Sequence, residues 1–364
     1  MQTSDLKPTG GAGSRLGFLD GIRGWACLSV VAAHTLSPPS WSKTPANILF
    51  SIFSDGRFAV ACFFVLSGFA LSRIPSTSVL RFCLGRYPRL AIPVACVTCF
   101  AWLAHPTHSP LNLIQFNASN DFFVFFSSLE PSHWQIPWKL QPWNLTPSAS
   151  NGVVLWTMYI EMQGSFLVML YVLAKDHLVR PKLLLTLVSV VLFVTQTHLF
   201  NFVLGIWLSS IADNLKICGQ IYWYLCFCAF IGLYYINYCQ ETYWLHTIPE
   251  LSAVVFQIIT LLRCTFVFYL FGPGSVLESR LSLSLGRISF PLYLLHMWAR
   301  DTSRLLHAAP LGAVNFAQTL ALAIPVAYVF SFVDTWAIRK SRDIAGYFID
   351  VVEAEEMKEK TLPL

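Results

Sequence analysis

Charge is scarce in this sequence. Asp, Glu, Lys and Arg make up 12% of the 364 residues, about half of what a soluble globular domain carries. With 55% hydrophobic residues in apolar blocks from end to end, the composition excludes a water-facing surface over most of the chain. There is no internal repeat and no stretch polar enough for a second soluble domain. No apolar run precedes Leu16, since MQTSDLKPTGGAGSR is polar. A cleavable signal peptide is therefore not expected, and the first helix serves as its own insertion signal. The ten cysteines suggest no disulfide framework. Cys96 and Cys99 match C-x-x-C but lie in an apolar span without a second pair, and are expected to be buried, inert thiols. The net charge of +5 follows the loop bias described below, so no nucleic-acid partner is expected and no metal ligands are assigned.

What is present is a series of apolar blocks, each near the roughly 20 residues that a helix needs to cross a core of about 30 Å. The expected spans are 21–38, 53–72, 90–105, 153–174, 183–199, 200–212, 219–237, 251–272, 286–300 and 313–336. The fold class predicted is all-α: a polytopic membrane protein of about ten transmembrane helices embedded in a lipid bilayer. Counting Lys and Arg with both termini cytosolic places 18 on the cytosolic side and 5 outside, with Arg263 inside a span, which is the positive-inside bias. Two N-x-[ST] sequons, at Asn117 and Asn144, fall in the 106–152 loop, on the face where glycosylation is possible. They favour a eukaryotic secretory-pathway or plasma membrane. The predicted organisation is a cytosolic N-terminal tail at 1–17, a membrane domain at 18–338 and a cytosolic C-terminal tail at 339–364, in which IDVVEAEEMKEK forms a short helix.

The chain is organised around Leu19–His34, LDGIRGWACLSVVAAH. On one helix Arg23 and His34 are eleven residues apart, about three turns and about 16 Å of rise, so they share a face at different depths. Ionisable groups at mid-membrane cost about 3 kcal/mol each and are functional candidates by default. Glu161 in LWTMYIEMQGSF and His296 in ISFPLYLLHMW are expected near the depth of His34. A histidine with a carboxylate to orient it is the minimal equipment of a general base acting on a hydroxyl. The alternative for Glu161 is an ion pair with an arginine that ties helices together. Arg73, Arg81, Arg86 and Arg89 gather on the cytosolic side, with fork-shaped donors suited to phosphate.

LDGIRGWACLSVVAAH resembles the opening of acyltransferase family three, whose multi-span enzymes include bacterial O-antigen acetylases. The likeness continues in FFVLSGFALS (63–72), GRYPRL (85–90), LWTMYIE (155–161) and ISFPLYLLH (288–296). It implies a membrane acyltransferase that moves an acyl group, usually acetyl from cytosolic acetyl-CoA, to a hydroxyl of a carbohydrate, glycolipid or secondary metabolite. No permanently bound cofactor is implied, because acyl-CoA is a donor substrate. The roles that follow are His34, Glu161 and Arg23 as catalytic residues, Arg86, Arg89 and Arg23 at the acyl-CoA, and Trp156, His296 and Arg263 around the substrate. Direct transfer and an acyl-histidine intermediate both fit. Two positions depart from the family pattern: Met162 follows Glu161 where a second carboxylate is common, and Arg57 stands where a histidine is frequent. Ser67 and Gly68 in VLSGF are read as a small-residue helix contact rather than a nucleophile. The competing reading is a transporter, proton-coupled or carrying an anion, with His34, Glu161 and Arg263 at the midplane. The absence of an internal repeat argues against it.

Overall fold

A computed structural model of the chain describes residues 17–36, 53–104, 152–195, 198–212, 227–233, 249–270, 276–307 and 312–361. Among these the regular elements are all helical: α1 (Gly17–Thr35), α2 (Gly56–Ser72), α3 (Val79–Leu103), α4 (Gly152–Lys175), α5 (Pro181–Val194), α6 (Leu199–Ala212), α7 (Pro249–Leu270), α8 (Arg280–His307) and α9 (Ala313–Thr361). The 106–152 loop with its two sequons, and most of the expected span 219–237, lie outside the described residues.

Local chemistry sets several boundaries. Asp55 caps α2 by accepting from the Phe58 amide at 3.0 Å, the ordinary way an orphan N-terminal donor is satisfied. Pro181 opens α5 at the position where a missing N–H costs nothing. At the end of α1, the Thr35 carbonyl accepts from Gly312 at 2.9 Å, which ties the start of α9 to that helix end.

Side-chain contacts fix the helix directions. Trp25 meets Ser282 and His34 meets His296, so α1 and α8 run parallel. Along α2, Phe64 stacks on Phe202 and Arg73 bonds Ser209, making α2 and α6 parallel as well. Cys83 meets Met169 while Arg86 reaches Glu161, so α3 and α4 are antiparallel. The core holds fully buried Phe64, Phe69, Phe202, Leu292 and Leu295. Leucine and valine instead cover the outside: Leu187, Val190, Val191 and Val194 of α5 are exposed, an apolar surface that suits lipid.

Among the described residues one helix, Ala313–Val351, is long and apolar enough to cross a membrane, while Pro181–Val194, Leu199–Ile211 and Gln257–Phe268 are shorter apolar helices. Helix length and composition therefore do not reproduce the expected ten spans. One reason is charge inside the helices, as in α8, which carries Arg280, Arg287, Arg300, Asp301 and Arg304. Two other expectations also change. The helix after Arg339 is no separate piece, because α9 runs on without a break to Thr361. Cys99 is exposed and Cys96 half-buried; an apolar span conceals which of its faces points outward.

Glycine makes two helix crossings possible. A Cβ at Gly24 would stand 2.7 Å from the Gly286 nitrogen, and one at Gly68 would run into the Phe202 carbonyl. Gly68→Leu is expected to cost about 3 kcal/mol or more, the upper end of overpacking effects. Gly346→Ala, where nothing lies within 4 Å, is expected to be neutral or stabilising by about 1 kcal/mol. Thermal melts of the two variants in detergent check the contrast, and equal melting points would show that the α2–α6 contact is looser than described.

Candidate functional site

Two layers of polar side chains lie at different depths along α1. The first is built from guanidinium groups. Arg23 donates from Nη2 to Asp20 Oδ1 at 2.7 Å and to the Gly286 carbonyl at 3.2 Å, and from Nε to Ser289 Oγ at 3.1 Å. The i,i+3 spacing of Asp20 and Arg23 makes the pair a property of α1 itself. Gly286 and Ser289 belong to α8, so Arg23 also fastens the two parallel helices.

Arg86 is buried on α3 and ion-paired with Glu161 of α4. Its Nε donates to Ser165 Oγ at 2.9 Å, and Ser67 Oγ of α2 donates to the same Glu161 carboxylate oxygen at 2.6 Å. Three helices thus share one charged centre. Arg89, one turn further along α3, is half-buried, and the charges of Arg86, Asp334, Arg23 and Glu161 all act on it. Arg73 and Arg81 are exposed. The four-arginine cluster of the sequence therefore divides, with Arg86 and Arg89 turned inward.

The second layer holds two imidazoles. His34 and His296 face each other with ring centroids 5.1 Å apart and planes tilted by 50°. His34 Nδ1 is 2.8 Å from the Val30 carbonyl, and His296 Nδ1 is 2.6 Å from the Tyr293 carbonyl. A carbonyl only accepts, so each Nδ1 carries the proton, and in the uncharged ring each Nε2 keeps its lone pair. His296 is fully buried, and its Nε2 has no hydrogen-bond partner among the described residues. Beneath the pair, the Tyr293 hydroxyl bonds Thr157 Oγ1 of α4 at 2.9 Å. Between the layers, Cys27 Sγ lies 3.2 Å from the Ser289 carbonyl.

The arrangement corrects one expected contact. Glu161 does not orient His34, because its carboxylate is taken by Arg86 and Ser67. A guanidinium gives a carboxylate a stronger charge-assisted bond than a neutral imidazole does, and the carbonyl four residues back along α1 is always within reach of His34. The alternative reading of Glu161 as a helix tie through an arginine is the one the geometry matches. Arg263 plays a similar part elsewhere. It is fully buried, donates to Asp55 Oδ2 at 2.6 Å and lies over the Phe58 ring at 3.9 Å, joining α7 to the capped start of α2. His34, Glu161 and Arg263, the trio of the transporter reading, thus have three different sets of partners. The side chain of Trp156 lies outside the described residues, and Arg57 is exposed at the start of α2.

Sequence reasoning misses Ser67 and Ser165 as ligands of this centre, Ser289 as a support for Arg23, and the Thr157–Tyr293 bond. Ser165 carries a usable signal, standing four residues after Glu161 on the same helix face. The others depend on which helices are neighbours.

A family model described as an acyltransferase domain matches residues 16–338 of this chain. That range contains every residue of both layers. No curated protein and no solved structure matches the chain.

Proposed function

The chain belongs to acyltransferase family three, and on that premise we propose that it moves an acyl group, acetyl in the first instance, from cytosolic acyl-CoA to a hydroxyl of a carbohydrate, glycolipid or secondary-metabolite acceptor. The family is generally membrane-embedded. A multi-pass protein of a eukaryotic secretory-pathway or plasma membrane is the placement that the loop charges and sequons favour.

The observation that carries the proposal is the pairing of the two layers on one helix. Arg23 and His34 both project from α1, about 16 Å apart along its axis, with Arg89 near the first and His296 beside the second. An acyl-CoA has its phosphates at one end of an extended pantetheine arm and its thioester at the other. The guanidinium layer suits the first end and an imidazole base the second. Arg89 is the proposed phosphate ligand, with the positive charges of Arg86 and Arg23 beside it and the negative charges of Asp334 and Glu161 partly offsetting them. Arg86, already joined to Glu161, holds α3 in place one turn away.

In the transfer itself, His34 Nε2 takes the proton of the acceptor hydroxyl as its oxygen attacks the thioester carbonyl. The C–S bond then breaks, and the leaving thiolate recovers the proton from His34 as free CoA. The Nδ1–H bond to Val30 fixes the tautomer that this role needs.

The test is acetyl-CoA turnover by the purified protein in detergent. Arg89→Ala is expected to raise KM for acetyl-CoA about tenfold, the loss of one charge-assisted hydrogen bond, with kcat within about twofold. Arg81→Ala, at an exposed position, is expected to leave both unchanged. A wild-type protein that neither binds nor turns over acetyl-CoA or longer acyl-CoAs would remove the donor from the proposal.

A further inference from the structure

His296 is an expensive residue to keep where it is. It is fully buried, yet among the described residues its ring bonds only backbone of its own helix, from Nδ1 to the carbonyl three residues back. Neither ring nitrogen bonds another helix among the described residues, so hydrogen bonding between helices does not explain the histidine. A phenylalanine of similar shape would pack the same space without leaving a lone pair unsatisfied. The unsatisfied atom is Nε2, on the ring that faces the proposed base at 5.1 Å.

Both imidazoles are set alike, each with Nδ1–H on a backbone carbonyl and Nε2 left to accept. The pair therefore offers two Nε2 acceptors on rings whose centroids are 5.1 Å apart. The complementary ligand carries two hydroxyl donors side by side. Hydroxyls on adjacent carbons are about as far apart as a hydrogen bond is long. Imidazole nitrogens lie close to their ring centroids, so rings 5.1 Å apart keep the separation of the two Nε2 atoms below the reach of such a diol with two bonds of about 2.8 Å.

We propose that His296 determines acceptor specificity: its Nε2 accepts a hydrogen bond from a second hydroxyl next to the one that His34 deprotonates, so that the acceptor is a vicinal diol and not a simple alcohol. The inference rests on the acyltransferase reading of the same site. A site with a buried acceptor discriminates strongly against an analogue lacking the hydroxyl, because the acceptor is then left unpaired.

The experiment compares two probes that differ by that hydroxyl. Purified full-length protein with acetyl-CoA is given trans-1,2-cyclohexanediol or cyclohexanol, and the acetyl ester is quantified by mass spectrometry. The wild type is expected to favour the diol at least tenfold in kcat/KM. In His296→Phe the ratio is expected to fall to about one through the KM of the diol, and His296→Gln, which keeps an acceptor oxygen, is expected to restore part of it. A merely structural role lowers both acceptors alike and leaves the ratio intact, and that result in His296→Phe overturns the proposal. So does a wild type without diol preference, or one that acetylates neither probe. Acceptor-free hydrolysis of acetyl-CoA separates the two readings: if it persists while the diol preference is missing, only the diol inference fails, whereas its absence together with absent acetyl-CoA binding removes both.

Discussion

Replacing His34 with glutamine is expected to slow acyl transfer by about 10²- to 10⁴-fold, the usual contribution of a positioned general base. The protein is expected to fold normally, because the amide is smaller than the ring and His34 is only partly buried. The bond lost on the protein side is the one from Nδ1 to Val30 within α1, which ties no second helix. The loss is expected in kcat, with KM for acetyl-CoA nearly unchanged, since the guanidinium layer lies about 16 Å away along α1. Steady-state kinetics beside a thermal melt checks this. A well-folded His34→Gln that keeps a tenth or more of the wild-type rate would transfer the base role to another group.

The second large effect concerns stability. Arg86→Ala is expected to cost about 3–5 kcal/mol, because it strands the buried carboxylate of Glu161 without its charged partner. Ser67 would still donate to that carboxylate, but one hydroxyl does not replace a guanidinium. Removing both charges together, as Arg86→Met with Glu161→Met, is expected to recover most of the loss, since buried ion pairs are often matched by well-packed apolar residues. A double-mutant cycle from thermal melts measures the coupling. If the double variant is as unstable as the sum of the singles, the pair does not act as a unit, and Arg86 regains its standing as a phosphate ligand.

Much of this site is legible in the amino-acid sequence. The spacing of Arg23 and His34 on one apolar helix dictates their common face and different depths, and the family-like blocks fall on α1, α2, α3, α4 and α8. The partners are not legible there. Distance from a helix end gives depth, but it says nothing of which helices are neighbours, so by depth alone Glu161, His34 and His296 are equally able to meet. Only the parallel packing of α1 on α8 brings the two histidines together, and only the antiparallel packing of α3 on α4 brings Arg86 to Glu161. The end of the last helix departs from expectation for a different physical reason. Arg339, Lys340, Arg342 and Asp343 resemble a solvated tail, yet charged side chains with i,i+3 pairs such as Lys340–Asp343 extend a helix readily in water.

That uninterrupted helix has a mechanical meaning. At 49 residues, α9 is about 74 Å long, against a hydrocarbon core of about 30 Å. Ala337, Ser341 and Ala345 are still buried, and from there the helix continues to Thr361, roughly 24 Å further, so the C-terminal end is a helical extension and not a flexible tether. The same helix packs against α3 and α8, which carry Arg86, Arg89 and His296, so both layers of the site share a wall with it.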